Sequence, residues 1–312
     1  MSVQPKDDRR LARERIAALR AAELHRRRMI TGAVAATTVV VLAVATLVGV
    51  KLADHGTSPA AAAAKAPAAV QAMAGAAPAA LVAQVTGVSP QVLDQVGAGK
   101  VSTLPGTVSG AAALTSGGKP EVVYVGAEYC PYCAAERWPM IIALSRFGTF
   151  QNLQLTHSSS SDVDPNTPTF SFHGATYTSA YLAFSGVETN TNQPAASGNG
   201  YGTLDTPTAA EQQLLSTYDA PPYVASASTG AIPFADLGNR FVVSGASYDP
   251  GLLAGKTQQQ VAAVLDTPGS PIAQAVDGTA NALTAALCKL TGNQPATVCS
   301  SSAVAAYEGK LG

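Results

Sequence analysis

The sequence predicts a layered α/β domain that follows one N-terminal transmembrane helix. Three observations support this prediction. Residues 29–50 hold no charged side chain, a β-branched run at 121–126 leads into a helical pattern at 131–147, and strand-like and helical segments then alternate up to residue 290. Segments that alternate in this way pack as helices against a sheet.

The N-terminal region predicts how the chain is placed in the membrane. Residues 1–28 carry nine Lys and Arg against four Asp and Glu, and the next 22 residues, 29–50, are uncharged. As a helix, that run is about 33 Å long, enough to cross a hydrocarbon core of about 30 Å. Basic residues beside a span stay in the cytoplasm. We therefore predict a single-pass protein of the cell membrane, with residues 1–28 cytoplasmic and the C-terminal domain extracytoplasmic.

A cleaved signal peptide is the alternative interpretation of this region. The small residues of SPAAAAA, 58–64, could then supply a cleavage site. However, the uncharged run is longer than the apolar segment of a signal peptide, usually about 7–15 residues. The sequence therefore favours an uncleaved anchor.

Composition divides the rest of the chain into a linker and one domain. Residues 51–85 are rich in Ala and Pro and predict a linker. Residues 86–312 are long enough for one domain with insertions. Beyond residue 50 the chain holds ten basic and sixteen acidic residues, so nothing there indicates a nucleic-acid partner.

Local signals predict the elements of this domain in chain order. Ser89 and Pro90 mark the N-cap and first residue of a short helix. The later predictions are a strand at 121–126, a helix at 131–147, a strand at 152–157, a loop at 158–169, a strand at 175–188, a polar loop at 189–204, a helix at 206–218, two strands around a Gly238–Asn239 turn within 232–243, and helical pieces over 256–290.

Cys130 and Cys133 lie at a predicted strand-to-helix junction, within GAEYCPYCAAERW at 126–138. A helix N-terminus stabilises a thiolate at Cys130. Cys133 lies one turn later on the same face, so it can resolve a mixed disulfide formed at Cys130. We therefore predict that these two cysteines are a catalytic redox pair and that the protein needs no cofactor.

Two other interpretations of the pair are a metal site and an inert clip. Structural zinc usually takes four Cys or His ligands, and the remaining cysteines, Cys288 and Cys299, do not form a second C-x-x-C motif. We therefore expect no metal. A disulfide that closes so short a loop adds little stability. Stabilisation alone therefore does not explain the pair, and its position indicates a functional role.

The segment AEYCPYC, after an apolar strand and before a helix, resembles the active site of the thioredoxin superfamily, and CPYC is the spacer found in glutaredoxins. This resemblance implies a thioredoxin-like fold with insertions. It also implies a cis-proline in a loop that faces the cysteines, just before a strand. Ile232 and Pro233 match that position and would bind an extended substrate segment beside Cys130; an ordinary turn proline is the alternative.

Longer segments resemble a thioredoxin-like family of membrane-anchored proteins, catalogued as domain of unknown function 929. They are GAEYCPYCAAERW, ALSRFGTF at 143–150, FSFHGATYTSAYLAF at 170–184 and IPFADLGNRFVVSGASYDP at 232–250, within a similarity that covers most of 86–300. The family name carries no activity, so the expected function depends on the cysteine chemistry.

The groups that could transfer protons near the motif differ from those of thioredoxins. Tyr124 stands six residues before Cys130, where thioredoxins carry a buried Asp that assists proton transfer. Glu128 and Glu136 flank the motif, and we interpret them as solvated surface acids, with proton transfer as the alternative.

We predict that Cys288 and Cys299 form a structural disulfide, because both lie in the part of the chain that is predicted to be extracytoplasmic. In the chain-entropy model, closing a loop of about 12 residues stabilises by about 3 kcal/mol. A second redox pair that passes electrons to Cys133 is the alternative.

The sequence thus predicts a membrane-anchored thiol–disulfide oxidoreductase that acts on protein thiols or disulfides. An oxidising enzyme would need a destabilised disulfide, and a reducing one would need an electron supply. The single span holds no cysteine, so either direction implies a separate membrane redox partner. The alternative is a non-catalytic binding module of the cell envelope, which uses the insertion at 158–204 and keeps the CPYC pair as a structural disulfide.

Overall fold

The strands and helices of the domain are described by a computed structural model that covers residues 75–307 and 309–311. All of them belong to one structural unit, Pro67–Gly312. The predicted cytoplasmic segment 1–28 and the predicted span 29–50 lie outside these residues. Among the helices that the structure does describe, none is long and apolar enough to cross a membrane.

The described residues form a mixed α/β structure. Its strands are β1 (Gly75–Ala76), β2 (Gly106–Thr107), β3 (Thr115–Ser116), β4 (Lys119–Gly126), β5 (Gly148–Gln151), β6 (Gln154–His157), β7 (Pro168–Ser171), β8 (Thr176–Ser179), β9 (Ala183–Glu188), β10 (Asn190–Pro194), β11 (Tyr201–Thr203), β12 (Phe234–Leu237) and β13 (Phe241–Ser244). Its α-helices are α1 (Ala79–Thr86), α2 (Pro90–Val96), α3 (Pro131–Ser145), α4 (Ala209–Tyr218), α5 (Gln258–Leu265), α6 (Pro271–Leu290), α7 (Ala296–Cys299) and α8 (Ser302–Ala305).

The central sheet has the strand order β9-β4-β12-β13-β2, and β3 pairs with the first residues of β4. Strand β4 is parallel to β9 and antiparallel to β12. Successive side chains of a strand point to opposite faces. Val122 and Tyr124 therefore join the main core, whereas Val123 and Val125 lie on the other side of the sheet.

Helices cover both faces of this sheet. The main core lies on the side of α3 and α6, and it includes Trp138, Ile141 and Leu283. On the opposite face, Leu214 and Leu215 of α4 pack against the outward side chains of β4, β9 and β12. Helix α3, which follows β4, is thereby buried along almost its whole length.

Helix α3 continues through Pro139, which has no N–H to donate to the carbonyl of Ala135. The hydroxyl of Tyr248 donates to the Ala135 carbonyl instead, at 2.7 Å. The hydroxyl of Thr169 donates to the neighbouring carbonyl of Ala134, at 2.8 Å. These hydrogen bonds satisfy the backbone at the proline, and the helix runs on to Ser145, close to its predicted end at residue 147.

Several local predictions are confirmed. Ser89 caps α2 by accepting a hydrogen bond from the backbone N–H of Val92. Strands β12 and β13 pair around Gly238 and Asn239, which both have positive φ angles, 66° and 55°. Within the three-residue connection 238–240, the N–H of Arg240 donates to the carbonyl of Leu237 at 3.1 Å, and positive φ angles at the two residues between them are the geometry of a type I′ turn.

The predicted linker at 51–85 overlaps folded structure. Gly75 pairs with β6, and α1 lies within the predicted linker. Leu81 and Val85 of α1, four residues apart, are buried in the main core. Alanine is common in linkers but also favours helices, so the Ala-rich composition did not distinguish this amphipathic helix from a linker. The folded part of the chain therefore includes the residues from Gly75 onward. Residues 51–74 lie outside the described part of the chain.

Two predictions between residues 175 and 204 are corrected. The single strand predicted at 175–188 is two strands, β8 and β9, which join different sheets. The polar loop predicted at 189–204 is a hairpin, β10–β11. Most side chains of this hairpin are exposed or half-buried. Its sequence therefore lacks the apolar alternation by which strands are recognised.

Candidate functional site

Cys130 and Cys133 lie where β4 ends and α3 begins. Cys130 is the N-cap residue of α3, and its sulfur accepts a hydrogen bond from the backbone N–H of Cys133, at 3.1 Å. Both cysteines are free thiols. Cys130 is 5 % exposed, whereas Cys133 is fully buried. Cys130 is thus the member of the pair that can meet a reactant.

The loop with Ile232 and Pro233 lies against Cys130. The Ile232–Pro233 peptide bond is cis, and Pro233 directly precedes β12. The thiol of Cys130 donates to the carbonyl of Ile232, with 3.6 Å between sulfur and oxygen. The structure therefore brings together the four residues predicted as catalytic or substrate-binding.

Cys288 and Cys299 form a disulfide that joins the end of α6 to α7. Leu290, two residues after Cys288, packs against Gly238, where β12 ends. Pro233, beside the cysteine pair, marks the other end of the same strand. A four-residue strand spans roughly 13 Å, so the disulfide and the cysteine pair lie at opposite ends of β12.

Two segments from the insertion surround the motif, and we call them the collar: the loop 158–167 and the hairpin β10–β11. The loop contacts the motif through Ser159, whose backbone N–H donates to the carbonyl of Tyr129 at 2.8 Å. The hairpin binds through Asn190, whose carbonyl accepts from the N–H of Glu128 at 2.9 Å. The rings of Tyr129 and Tyr201 stack, 4.1 Å apart and nearly parallel.

The surface around the motif is aromatic. Tyr132, between the two cysteines, is 44 % exposed. It and Val163 of the collar are the exposed large hydrophobic residues of the part of the chain that the structure describes. Tyr201 is half-buried beside Tyr129. This composition is typical of surfaces that bind a polypeptide.

A buried ion pair lies behind the cysteines. Arg137 of α3 and Glu188 of β9 are both fully buried. The guanidinium donates from Nε to Oε1 at 2.7 Å and from Nη2 to Oε2 at 2.5 Å. Nη2 also donates to the carbonyl of Ala127 at 2.8 Å, and the guanidinium carbon lies 5.9 Å from the centre of the Tyr124 ring.

Arg137 and Glu188 were not among the residues predicted for the site. A signal for Arg137 was present, because it follows Cys133 by four residues and so lies on the same helix face. Nothing in the sequence indicated Glu188 as its partner, since the two residues are 51 positions apart.

The two cysteines differ in acidity. The pKa of Cys130 is lowered, chiefly because the side chain of Cys133 donates to its sulfur, and the backbone N–H of Cys133 and the charge of Arg137 act in the same direction. Burial raises the pKa of Cys133 well above its ordinary value, and its hydrogen bond to Cys130 adds to this. Cys130 is therefore the nucleophile that this geometry favours.

Glu136 corrects our interpretation of the flanking acids. It is fully buried, and its carboxylate accepts hydrogen bonds from the backbone N–H and the hydroxyl of Ser247, at 2.8 and 3.0 Å. The helical period places Glu136 on the side of α3 that faces the loop with Tyr248. The local sequence did not indicate that this side of the helix is buried. Glu128 is half-buried.

The burial of Glu136 predicts a pH-dependent stability. Burial raises the pKa of Glu136 from 4.5 to about 7, so the native state keeps its proton where the unfolded state has lost it. Stability should therefore fall as the pH rises from about 4.5 to 7. Glu136→Gln should shrink the difference in unfolding free energy between pH 5 and pH 8 by about 2–3 kcal/mol, measured by urea unfolding.

Asp236 and Asp277 act in the same direction, because burial raises their pKa values to about 6 and about 8. Part of the pH dependence should therefore remain in the Glu136→Gln variant. If the variant and the parent protein lose equal stability between pH 5 and pH 8, Glu136 ionises normally in the folded protein.

No group of three or more His, Cys, Asp or Glu within residues 75–307 and 309–311 is arranged to hold a metal ion.

Comparisons with known proteins identify one relationship. Neither a curated protein nor a solved structure matches the chain. A model of the family described as "Domain of unknown function (DUF929)" matches residues 107–289, which include the cysteine pair, the cis-proline and the collar. Because this match covers more than half of the 312 residues, the chain belongs to the DUF929 family.

Proposed function

We propose that this protein is a membrane-anchored, extracytoplasmic thiol–disulfide oxidoreductase with a thioredoxin-like fold, which acts on protein thiols or disulfides. The observation that carries the proposal is the Cys130 thiol, which lies at the N-terminus of α3 with a lowered pKa and beside a second, buried thiol. The fold assignment is supported by the motif between a buried strand and a helix, and by the cis-proline before β12.

The proposed reaction is an exchange of disulfide bonds. The thiolate of Cys130 attacks one sulfur of a substrate disulfide, a mixed disulfide forms, and the other substrate sulfur leaves as a thiolate that takes up a proton. Cys133 then loses its proton and attacks the sulfur of Cys130, which releases the second substrate thiol. The substrate is reduced and the pair is oxidised; the reverse sequence oxidises a substrate dithiol.

Membrane anchoring rests on the uncharged run at 29–50 and its basic flank. Each turnover leaves the pair in the opposite redox state, so a redox partner must restore it. We place that partner in the membrane, because the proposed span itself holds no cysteine.

The reduction potential of the pair tests the proposal. The purified protein is equilibrated with glutathione buffers, and the redox state of Cys130 and Cys133 is read by alkylation and mass spectrometry, with the Cys288–Cys299 disulfide as the internal control. We expect a value between about −270 and −120 mV, the range of working oxidoreductases, and its place in that range indicates the direction of electron flow.

A potential below about −300 mV, together with an unreactive Cys130, would mark a structural disulfide. The protein would then fit the alternative of a binding module of the cell envelope.

The collar predicts that the enzyme discriminates between protein substrates and small disulfides. Tyr201→Ala removes a half-buried ring, stacked on Tyr129, against which a bound polypeptide packs in this proposal, and an aromatic contact of this kind contributes about 0.5–1.5 kcal/mol. We expect kcat/KM for the reduction of insulin disulfides to fall by about 2- to 13-fold, the equivalent of that energy. The rate with a small aromatic disulfide should stay the same, because both steps of that reaction involve only Cys130 and Cys133, which the substitution leaves in place.

The matched control for this prediction is Tyr218→Ala. Tyr218 also pairs with a second tyrosine, Tyr223, but it packs at the α4 face of the sheet. Equal losses with insulin in the two variants would mean that the collar has no specific role in binding the substrate.

A further inference from the structure

The second half of the proposed reaction needs a thiolate at a site that disfavours one. Cys133 is fully buried, and burial raises its pKa. Thioredoxins resemble this chain at the motif but carry a buried Asp where this chain has Tyr124. The hydroxyl of Tyr124 has no hydrogen-bond partner, and burial raises its pKa well above 10. Tyr124 therefore does not replace the carboxylate as a proton acceptor.

Arg137 brings a positive charge to the same place. It follows Cys133 by four residues on α3, and side chains at this spacing have Cβ atoms about 5–6 Å apart on one helix face. Burial by itself would lower the pKa of the guanidinium, but Glu188 and the surrounding groups raise it well above its ordinary value. The charge is thus permanent, and it lies in a region of low dielectric constant, where charges interact strongly.

Hydrogen bonds hold this charge in one position. Glu188 binds the guanidinium through two atoms, and the carbonyl of Ala127 accepts from Nη2. The Glu188 carboxylate is itself held, since its Oε1 also accepts from the backbone N–H of Phe172 at 3.3 Å. A charge that is already oriented needs no rearrangement when a second charge forms nearby.

One donor of the guanidinium remains unused. Nη1 of Arg137 is buried and has no hydrogen-bond partner in the dithiol protein. A buried N–H without an acceptor is unfavourable, and a negative charge that forms beside it relieves that cost. Arg137 thus has an unused donor, and its charge favours the thiolate forms of both Cys130 and Cys133.

We propose that Arg137, held by Glu188, is a positioning residue for the resolving step, and that its fixed charge favours the thiolate of Cys133 when this residue attacks the mixed disulfide on Cys130. This inference rests on the proposed function. In the step itself, the proton of Cys133 passes to solvent, a bond forms between the sulfurs of Cys133 and Cys130, and the bond from Cys130 to the substrate sulfur breaks with its electron pair leaving on the substrate.

The other titratable groups around Cys133 are Cys130 at the start of α3, Tyr124 on β4, Tyr129 before α3 and Glu188 on β9. Glu128 contributes a negative charge that acts on Glu188. Arg137 is the positive member of this set, and it is the charge of the Arg137–Glu188 pair that acts on Cys133, so removal of the pair should disfavour the thiolate.

The two halves of the reaction are separated by 5,5′-dithiobis(2-nitrobenzoate). The attack of Cys130 on this disulfide releases one coloured thiolate, and the attack of Cys133 on the resulting mixed disulfide releases a second. Stopped-flow absorbance of the reduced protein, recorded from pH 5 to pH 9, therefore gives one rate for each cysteine.

The informative variant is Arg137→Met with Glu188→Leu, which removes the charge without leaving its partner buried and unpaired. We expect the second rate to fall at least about tenfold at each pH between 5 and 9, the equivalent of a rise of about one unit in the pKa of Cys133. The first rate should change less, because Cys130 is a further turn from Arg137. Arg137→Lys keeps the charge and should retain the second rate to within about threefold, a difference of less than half a pKa unit.

The matched control is Arg146→Met at the other end of α3, where the guanidinium binds Ser301. It should leave both rates as in the parent protein. Thermal unfolding checks that each variant is folded, and Arg137→Gln with Glu188→Gln, which keeps a hydrogen-bonded uncharged pair, takes the place of the Met and Leu variant if that one does not fold.

A second rate that is unchanged in the uncharged variants, or equally slow in Arg137→Lys, would overturn the role of the Arg137 charge. If the parent protein shows no first phase at all, Cys130 is unreactive and the proposed oxidoreductase function fails instead. The two failures are therefore told apart in one experiment.

Discussion

Cys130→Ser is expected to reduce disulfide exchange to the uncatalysed background, whereas Cys133→Ser should stop the reaction halfway. Serine at position 130 can neither form a thiolate nor enter a disulfide, so no mixed disulfide can begin. With Cys133 replaced, the nucleophile at the N-cap of α3 remains, and the resolving thiol is absent. The mixed disulfide with the substrate should then accumulate.

Non-reducing electrophoresis and mass spectrometry of each variant, incubated with a protein disulfide, measure this outcome. The two variants control each other, because they exchange the same atom for the same atom at sites one helical turn apart. Accumulation of the adduct in Cys130→Ser, or its absence from both variants, would contradict the assignment of Cys130 as the attacking residue.

Glu188→Ala is expected to destabilise the domain by about 3–5 kcal/mol. The substitution leaves the fully buried guanidinium of Arg137 without its carboxylate, and an uncompensated buried charge costs about this much. A native domain is stable by only about 5–15 kcal/mol, so the variant should lie near the limit of folding. Urea unfolding at pH 7 gives the change in unfolding free energy.

The double variant Arg137→Met with Glu188→Leu is the control for that prediction. Replacing both members of a buried pair by apolar residues is often neutral or stabilising, so it should recover most of the lost stability. A loss of less than about 0.5 kcal/mol in Glu188→Ala, within the range of ordinary surface substitutions, would mean that water reaches the pair.

The parts of the fold that the sequence predicted are those with local causes. The junction between β4 and α3 follows from a β-branched run, a proline at the first helical position and an apolar period of three to four residues. The cap at Ser89 and the turn at Gly238–Asn239 likewise depend on a few adjacent residues. The four residues predicted for the candidate site, including Ile232 and Pro233, lie together in the structure.

The features that the sequence did not predict depend on distant partners. Arg137 and Glu136 are charged residues on a helix that is buried along almost its whole length, and only their partners on β9 and in the loop before Tyr248 explain why they are there. The hairpin β10–β11 is polar because most of it faces solvent, so its strands lack an apolar pattern. Helix α1 was hidden by an alanine content that resembles a linker.

The proline within α3 has a consequence for how the cysteine-bearing helix is held at different acidities. The substitute hydrogen bond to Ala135 comes from the phenol of Tyr248, and burial keeps the pKa of that phenol well above 10. The adjacent residue, Ser247, binds Glu136, whose charge changes near pH 7. Ser247 and Tyr248, neighbours in one loop, thus hold the same helix. The hydrogen bond from Tyr248 is constant across the physiological pH range, whereas the strength of the hydrogen bonds from Ser247 depends on the ionisation of Glu136.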